Sequence, residues 1–263
     1  MSLYHIYFSP TGGVKQVSEA LLEGLGRPDK QIHLLNQVNL ANLALQPGDL
    51  CLVAVPCFYG RVPDYVREKL SQLSGHGAFA IAVIVYGNGE YGDSLLELRD
   101  ILESCDLRVI AAVSAIAQHA IFSQYGKGRP NAEDKACLKD YALRIKQHLA
   151  TGHFGTLNLK GHAPYHDKHH LSICPQAKGD CTNCMKCVEE CPVQAIPREN
   201  PRCVDKSRCI SCMHCVSICP EHARTLNQAV LFVIARALKI NYNEPKNNTL
   251  TLSEREDKAV QEV

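Results

Sequence analysis

Two cysteine runs of identical spacing constrain this chain more than any other feature of its sequence. The first, Cys181–Pro192, reads C-T-N-C-M-K-C-V-E-E-C-P, and the second, Cys209–Pro220, reads C-I-S-C-M-H-C-V-S-I-C-P. Both follow C-x-x-C-x-x-C-x-x-x-C-P, and the second repeats the first 28 residues further on. Eight of the fourteen cysteines lie in these runs, so the runs predict a small domain organised by bound metal.

The spacing is typical of a domain that holds two [4Fe–4S] clusters. Each cube takes four thiolates, and in the bacterial pattern the fourth cysteine of each run ligates the other cluster. The proline that closes each run stops the local helix. We therefore predict one cluster on Cys181, Cys184, Cys187 and Cys219, and a second on Cys209, Cys212, Cys215 and Cys191.

Zinc and disulfides are the alternatives for these cysteines. A zinc site closes with four tetrahedral ligands, and it has no use for a third and a fourth cysteine repeated twice at this spacing. Disulfides need an oxidising compartment, and Met1–Phe8 has neither the basic start nor the apolar core of a secretory signal. We therefore favour clusters, which implies electron transfer, and expect a cytoplasmic protein.

Bulk properties narrow the range of partners. The 263 residues suffice for one large or two modest domains, and the net charge of +1 indicates neither nucleic acid nor a membrane surface as a partner. The longest apolar run near the end, Ala229–Leu238, is interrupted by Arg236 and is too short to span a bilayer.

Strand and helix patterns alternate before residue 150. Such alternation with five strands predicts an α/β fold, a doubly wound parallel sheet of order 2-1-3-4-5. The predicted strands are Leu3–Phe8, Gln31–Leu35, Leu50–Val55, Ala78–Val85 and Val109–Ile116. The predicted helices are Val14–Leu25, Pro63–Leu73, Asp93–Glu103 and Asn131–Leu149.

Three loops at the expected carboxyl ends of these strands carry the candidate ligand-binding residues. Ser9–Lys15 joins a strand to a helix N-terminus, a geometry that binds phosphate, although the loop by itself is equally compatible with an ordinary helix cap. The loops Pro56–Pro63 and Tyr86–Asp93 offer flat side chains that can flank a flat ring: Phe58, Tyr59, Tyr86 and Tyr91.

The constellation resembles flavodoxin, and the whole chain resembles flavodoxin-like domains fused to a two-cluster ferredoxin. The family's loops read Y-F-S-P-T-G-x-T, P-x-Y-x-G-R-x-P, V-Y-G-N-R-x-Y-x-D and G-R-P. They correspond here to Tyr7–Val14, Pro56–Pro63, Val85–Asp93 and Gly128–Pro130, and the likeness covers residues 3 to 225.

The resemblance implies FMN in the first domain, with its phosphate in the first loop and its isoalloxazine between the other two. Two positions depart from the family: Val14 replaces a threonine whose hydroxyl meets the phosphate, and Gly89 replaces an arginine. Neither departure excludes FMN. The implied cofactor-binding residues are Ser9, Thr11, Gly12, Gly13, Val14, Pro56, Phe58, Tyr59, Gly60, Tyr86, Gly87, Asn88, Gly89, Tyr91 and Asp93.

The predicted domains are a flavodoxin-like unit (1–152), a linker (153–173), a small α+β two-cluster ferredoxin-like unit (174–225) and a C-terminal helix with a loose polar tail (226–263). The predicted helix covers Thr225–Lys239 and packs on the body. His119 either faces the flavin or is satisfied by backbone, and the second is favoured. The linker histidines are interpreted as solvated, in preference to a metal site: His162, His166, His169 and His170.

Three functions remain open from the sequence. The favoured one is electron transfer between the clusters and FMN, with a redox partner protein as donor or acceptor. The alternative is an FMN-dependent reductase of a small organic substrate, whose catalytic candidates would be Tyr59, Arg61, Tyr91 and His119. The third is a carrier whose first domain has lost its flavin. No G-x-G-x-x-G unit for a nicotinamide cofactor follows a strand.

Overall fold

The computed structural model describes residues 1–36, 38–167, 173–237 and 244–254. The first domain contains strands β1 (Leu3–Tyr7), β2 (Lys30–His33), β3 (Leu50–Pro56), β4 (Phe79–Tyr86) and β5 (Arg108–Ile116). Its helices are α1 (Gly13–Leu25), α2 (Asp64–Leu70), α3 (Ser94–Ser104) and α4 (Ala132–Thr151).

The five strands form one parallel sheet in the order β2-β1-β3-β4-β5. This is the doubly wound, flavodoxin-like order, and the predicted fold class is confirmed. β3 is buried along its whole length because helices cover both faces of the sheet. One apolar core packs α1 and α4 against one face, and another packs α2 and α3 against the opposite face.

A sixth strand, β8 (Thr249–Leu252), pairs antiparallel with β5. The prediction of a loose tail was therefore wrong for residues 244–254. Asn248 secures this segment, since its side chain accepts a hydrogen bond from the Ile116 N–H at 3.0 Å and donates to Asp134 at 3.0 Å. Pairing protects the β5 edge, which would otherwise present unpaired backbone groups. The rest of the predicted tail lies outside the described residues.

Residues 153–167 of the predicted linker pack on the first domain. Phe154 and Leu157 are buried in its two cores. The backbone of Gly155 donates to Glu254 at 2.6 Å. A Gly-, Pro- and His-containing stretch without periodicity predicts a connection between the domains, and tertiary contacts order its first part.

The second domain is small and internally repeated. It pairs β6 (Gln176–Ala177) with β7 (Arg224–Thr225) and contains two four-residue helices, α5 (Lys186–Glu189) and α6 (His214–Ser217). Non-glycine residues with positive φ recur at the 28-residue offset, in the pairs Asn183/Ser211, Met185/Met213 and Gln194/His222. The two cysteine runs therefore share a backbone conformation as well as a spacing.

Helix α7 (Gln228–Ala237) follows the second domain. Leu231 is buried and packs in one apolar cluster with Phe122 and Ile173, so the prediction that this helix packs on the body is confirmed. The predicted last turn, Leu238–Lys239, lies outside the described residues. No helix in the described part of the chain is long and apolar enough to cross a membrane.

Candidate cofactor sites

The loop between β1 and α1 is shaped to receive an anion. Gly12 adopts φ +91°, and a Cβ on Gly13 would stand 2.9 Å from Ala117, so both positions need glycine. The Ser9 hydroxyl accepts a hydrogen bond from the Lys15 N–H at 2.9 Å. Among the described residues, no acceptor engages the N–H groups of residues 11–14. These groups, at the positive end of the α1 dipole, fit a phosphate monoester.

His33 supports this loop from β2. Burial chiefly lowers the pKa of His33 to about 4, and the nearby His214 and Lys15 add to the effect. The ring is therefore neutral near pH 7, and its Nε2 accepts the Ser9 N–H at 3.2 Å. His33 also stacks on Tyr7 with ring centroids 4.5 Å apart. The sequence offered no signal for this support, because His33 lies far from the loop along the chain.

A cavity of about 530 Å³ opens at the carboxyl ends of β1, β3, β4 and β5. Its size suits a small-molecule cofactor. Most of the predicted cofactor-binding residues line it: Ser9, Thr11, Gly13, Val14, Pro56, Phe58, Tyr59, Gly60, Tyr86, Gly87 and Gly89.

The other predicted cofactor-binding residues shape the surrounding loops. Gly12 forms the turn of the β1–α1 loop, and Tyr91 packs edge-on against Tyr86 with ring centroids 5.3 Å apart. The Asn88 amide holds the C-terminal segment, donating to the Glu244 carbonyl at 3.0 Å and accepting from the Lys246 N–H at 3.1 Å.

The Asp93 side chain contacts residues of the predicted linker and is not among the residues that line the cavity. Its carboxylate accepts hydrogen bonds from the His162 N–H (3.0 Å), the His166 N–H (2.9 Å) and His166 Nδ1 (2.6 Å), while His166 Nε2 donates to the Tyr59 carbonyl at 3.1 Å. Burial favours a raised pKa for Asp93, but the bonds from His166 and His162 outweigh it and lower the pKa to about 2. The same contact raises the pKa of His166.

His166 is exposed, with 44% of its side-chain surface accessible, in agreement with the interpretation of these histidines as solvated; its ring is nevertheless held by hydrogen bonds. His162 is tied through its backbone, and His169 and His170 lie outside the described residues. His119 lines the cavity, and its Nδ1 accepts the N–H groups of Ile121 and Phe122 at 3.1 and 3.2 Å. Burial lowers the pKa of His119 to about 4. The two backbone bonds support the favoured interpretation, in which the His119 ring is satisfied by backbone groups.

The second domain and α7 complete the cavity wall. Sequence reasoning assigned none of these residues to the flavin site, and no pattern links them to it, because they approach only through domain packing. They are Ile173, Ile210, Ser211, Cys212 and Ile234.

The four cysteines predicted to hold the second cluster surround one small cavity. Cys191 lies there with Cys209, Cys212 and Cys215, although it belongs to the other run. Burial is the main cause that raises the pKa of Cys215 to about 12, and the neighbouring Cys212, Cys191 and Cys187 raise it further. The fold thus brings together the crossed ligand set, and metal binding would deprotonate these thiols.

The first set is more open to solvent. Cys184 is exposed, while Cys181, Cys187 and Cys219 are partly buried. In both runs, residues with positive φ alternate with the cysteines, a backbone form that turns N–H groups inward and is common at iron–sulfur sites. No group of His, Cys, Asp or Glu side chains within the described ranges is arranged to hold a single metal ion. The grouping of Cys219 with the first run stays a prediction.

Arg224 places a buried cation beside the second set. It is 2% exposed, its Nη1 donates to the Pro175 carbonyl at 3.1 Å and its Nη2 donates to the Pro201 carbonyl. Its Nε has no hydrogen-bond partner in the part of the chain that the structure describes. After burial, which raises the pKa of Cys215, the charge of Arg224 is the next influence and lowers it, so this guanidinium is positioned to offset thiolate charge.

Comparison with known protein families supports the assignment of the second domain as an iron–sulfur domain. Residues 178–196 and 203–225 match the 4Fe–4S binding domain family. No curated protein matches the chain. The chain joins a flavodoxin-like domain to a 4Fe–4S-binding domain.

Several solved structures show a distant likeness. A flavodoxin from the domain Archaea has 17% identity and a TM-score of 0.41, covering 57% of this chain and 99% of its own. The Streptococcus pneumoniae TIGR4 flavodoxin has 17% identity and a TM-score of 0.41, covering 56% of this chain and 99% of its own. An NAD(P)H:quinone oxidoreductase from Methanothermobacter marburgensis has 14% identity and a TM-score of 0.34, covering 65% of this chain and 99% of its own. The strand order of the first domain, β2-β1-β3-β4-β5, is by itself flavodoxin-like.

Proposed function

We propose that this chain is an electron-transfer flavo-iron–sulfur protein that relays single electrons between two [4Fe–4S] clusters and FMN. One observation carries the proposal: Cys212 lines both the large cavity of the first domain and the small cavity of the second cysteine set. A cluster held there would adjoin a flavin held in the large cavity. Clusters move single electrons, whereas a flavin exchanges one or two, so the fusion converts between the two.

The residues of the first domain fit FMN. The free N–H groups of residues 11–14 and the Ser9 hydroxyl suit its phosphate, and these contacts do not need a hydroxyl at Val14. Phe58, Tyr59 and Tyr86 offer flat surfaces for the ring. A single phosphate loop favours FMN over a dinucleotide flavin.

The reductase alternative gains no support from the cavity. Among the described lining residues, the wall contributed by the second domain and α7 is mainly isoleucine, and His119 Nδ1 is engaged by backbone. The proposal includes a redox partner protein that approaches the open first run, near Cys184. It also includes the cytoplasm as the place of action, where reducing conditions keep thiols such as the fourteen unpaired cysteines of this structure available.

The first test is cofactor content. Protein prepared without oxygen is expected to carry about eight iron and eight sulfide per chain, by the ligand count of two cubes, together with FMN. Zinc in place of iron, or about four iron, would refute the two-cluster assignment.

The relay is tested by removing one predicted ligand. Cys219→Ala should damage the cluster of the first run while leaving the second cluster and FMN bound. Stopped-flow reduction of FMN by a ferredoxin-type donor should slow strongly, whereas photochemical reduction of the flavin should persist. If FMN were reduced as fast as in the parent, with that cluster shown absent by EPR, the relay through it would be ruled out.

A further inference from the structure

Helix α6 carries Cys215, a predicted ligand of the second cluster, and it is hydrogen-bonded to the β1–α1 loop, the proposed phosphate loop of the first domain. His214 Nδ1 donates a hydrogen bond to the Pro10 carbonyl at 2.9 Å. The Ser217 hydroxyl lies 2.9 Å from the same oxygen and 2.9 Å from the His214 carbonyl, and it shares its proton between these two acceptors. A carbonyl only accepts, so His214 carries its proton on Nδ1 in this contact. The His214 side chain is buried, and its Nε2 lies 3.3 Å from the Glu190 carboxylate.

The anchored carbonyl directly precedes the anion-binding backbone. Pro10 is followed by Thr11, Gly12 and Gly13, whose N–H groups have no acceptor among the described residues. Fixing Pro10 from the far side limits the conformations that these groups can adopt, which lowers the entropy cost of ordering them around a phosphate.

The first run provides an internal contrast. At the 28-residue offset, Lys186 and Glu189 occupy the positions of His214 and Ser217. Both are exposed, and in the described structure neither contacts the phosphate loop. The two runs share cysteines and backbone, and they differ at the two side chains that reach the flavin domain.

We propose that His214 and Ser217 are positioning residues for the flavin phosphate, so that FMN affinity depends on the second cluster and not on the first. This inference rests on the proposed function. Helix α6 has only four residues, too few to be stable alone, and metal ligation is what orders such a segment. When the second cluster is absent, α6 loosens and the phosphate loop loses both bonds at Pro10.

The experiment measures FMN affinity of deflavinated protein by the quenching of flavin fluorescence, with iron counted in each sample. Ser217→Ala is expected to raise the Kd about threefold and His214→Phe/Ser217→Ala about tenfold, since each bond contributes about 0.7 kcal/mol and about 1.4 kcal/mol is tenfold in Kd. The matched control, Lys186→Ala/Glu189→Ala, should leave the Kd unchanged. Ser217 is exposed, so its variant remains informative if the double variant fails to assemble.

A second pair of variants removes the clusters themselves. Cys215→Ala, which does not line the flavin cavity, should weaken FMN at least as much as the double variant, whereas the equivalent Cys187→Ala should not. Equal affinities in Cys215→Ala and the parent, with the second cluster absent, would overturn the inference, as would equal weakening by Cys187→Ala. A parent that binds no FMN would instead refute the proposed function.

Discussion

The two cysteine runs have the same spacing and the same backbone, yet they occupy different environments. In the first run Asn183 and Lys186 are exposed, whereas their equivalents Ser211 and His214 are 7% and 8% exposed. The difference arises because the second run packs against the first domain through Ile210, Cys212 and His214, whereas no such packing of the first run is present in the described part of the chain. Duplicated motifs of one chemistry can thus serve as an open and an enclosed site, distinguished by the residues between their cysteines.

The largest effect expected from this contrast concerns the flavin. Thr11→Asp places a carboxylate against the proposed phosphate position. Two like charges about 4 Å apart repel each other by about 4 kcal/mol at an effective dielectric constant of about 20. FMN should be lost while both clusters remain, as measured by absorbance and iron content. Thr182→Asp, which adds the same charge in the exposed first run, is the control and should leave FMN bound. Undiminished flavin in Thr11→Asp would show that the phosphate binds elsewhere.

The next effect concerns metal release. Because the first run is open and the second is covered, a chelator should remove iron in two phases, with the faster at least about tenfold ahead. The fast phase should disappear from Cys219→Ala, because Cys219 is a predicted ligand of the first cluster. A single phase would contradict the environmental difference between the runs. The measurement is iron release followed by the absorbance of the chelate.

Arg224 provides a smaller, electrostatic test. Arg224→Leu removes the buried cation beside Cys215 and should lower the reduction potential of the second cluster, because reduction adds negative charge. The effect should be on the order of 1–2 kcal/mol per electron, measured by EPR-monitored redox titration. Arg202→Leu is a matched control, since Arg202 is exposed and contacts the Cys181 carbonyl; its effect should be slight. An unchanged reduction potential in Arg224→Leu would show that the Arg224 charge does not influence the second cluster.

The smallest effect concerns the segment that leads to the second domain. The lowered pKa of Asp93 contributes stability that is present above pH 3.8 and is lost as the pH falls towards 2. The raised pKa of His166 contributes stability that is present below pH 6.5 and is lost as the pH rises through the pKa of His166 in the folded protein. Because the pair lies at a partly exposed surface, the total is about 1 kcal/mol.

Urea unfolding of the parent between pH 5 and 9 should therefore show a decline in the free energy of unfolding above pH 6.5. Asp93→Asn should lower that free energy at pH 5 and flatten the decline. Asp100→Asn, on the neighbouring α3, is the control for removal of a nearby carboxylate. Identical pH profiles for the parent and Asp93→Asn would show that the ion pair contributes nothing.

Local patterns predicted much of the architecture. The apolar runs that became β3, β4 and β5 sit within one or two residues of their predicted bounds, because strands buried on both faces give an unambiguous signal. β8 escaped prediction because Thr249–Leu252 is short and surrounded by polar residues. Its pairing with β5 depends on an exposed edge that no local pattern reveals.

The sequence by itself determined the cysteine spacing, the repeated backbone turns that follow from it, and the order of strands and loops that builds the N-terminus of α1 proposed to bind phosphate. These are short-range properties, set by neighbours along the chain. Only the tertiary structure decided that Cys191 lies with the second run, that His214 and Ser217 reach Pro10, and that Cys212 faces both cavities. Those contacts join residues up to about two hundred positions apart, and domain packing, which no local pattern encodes, brings them together.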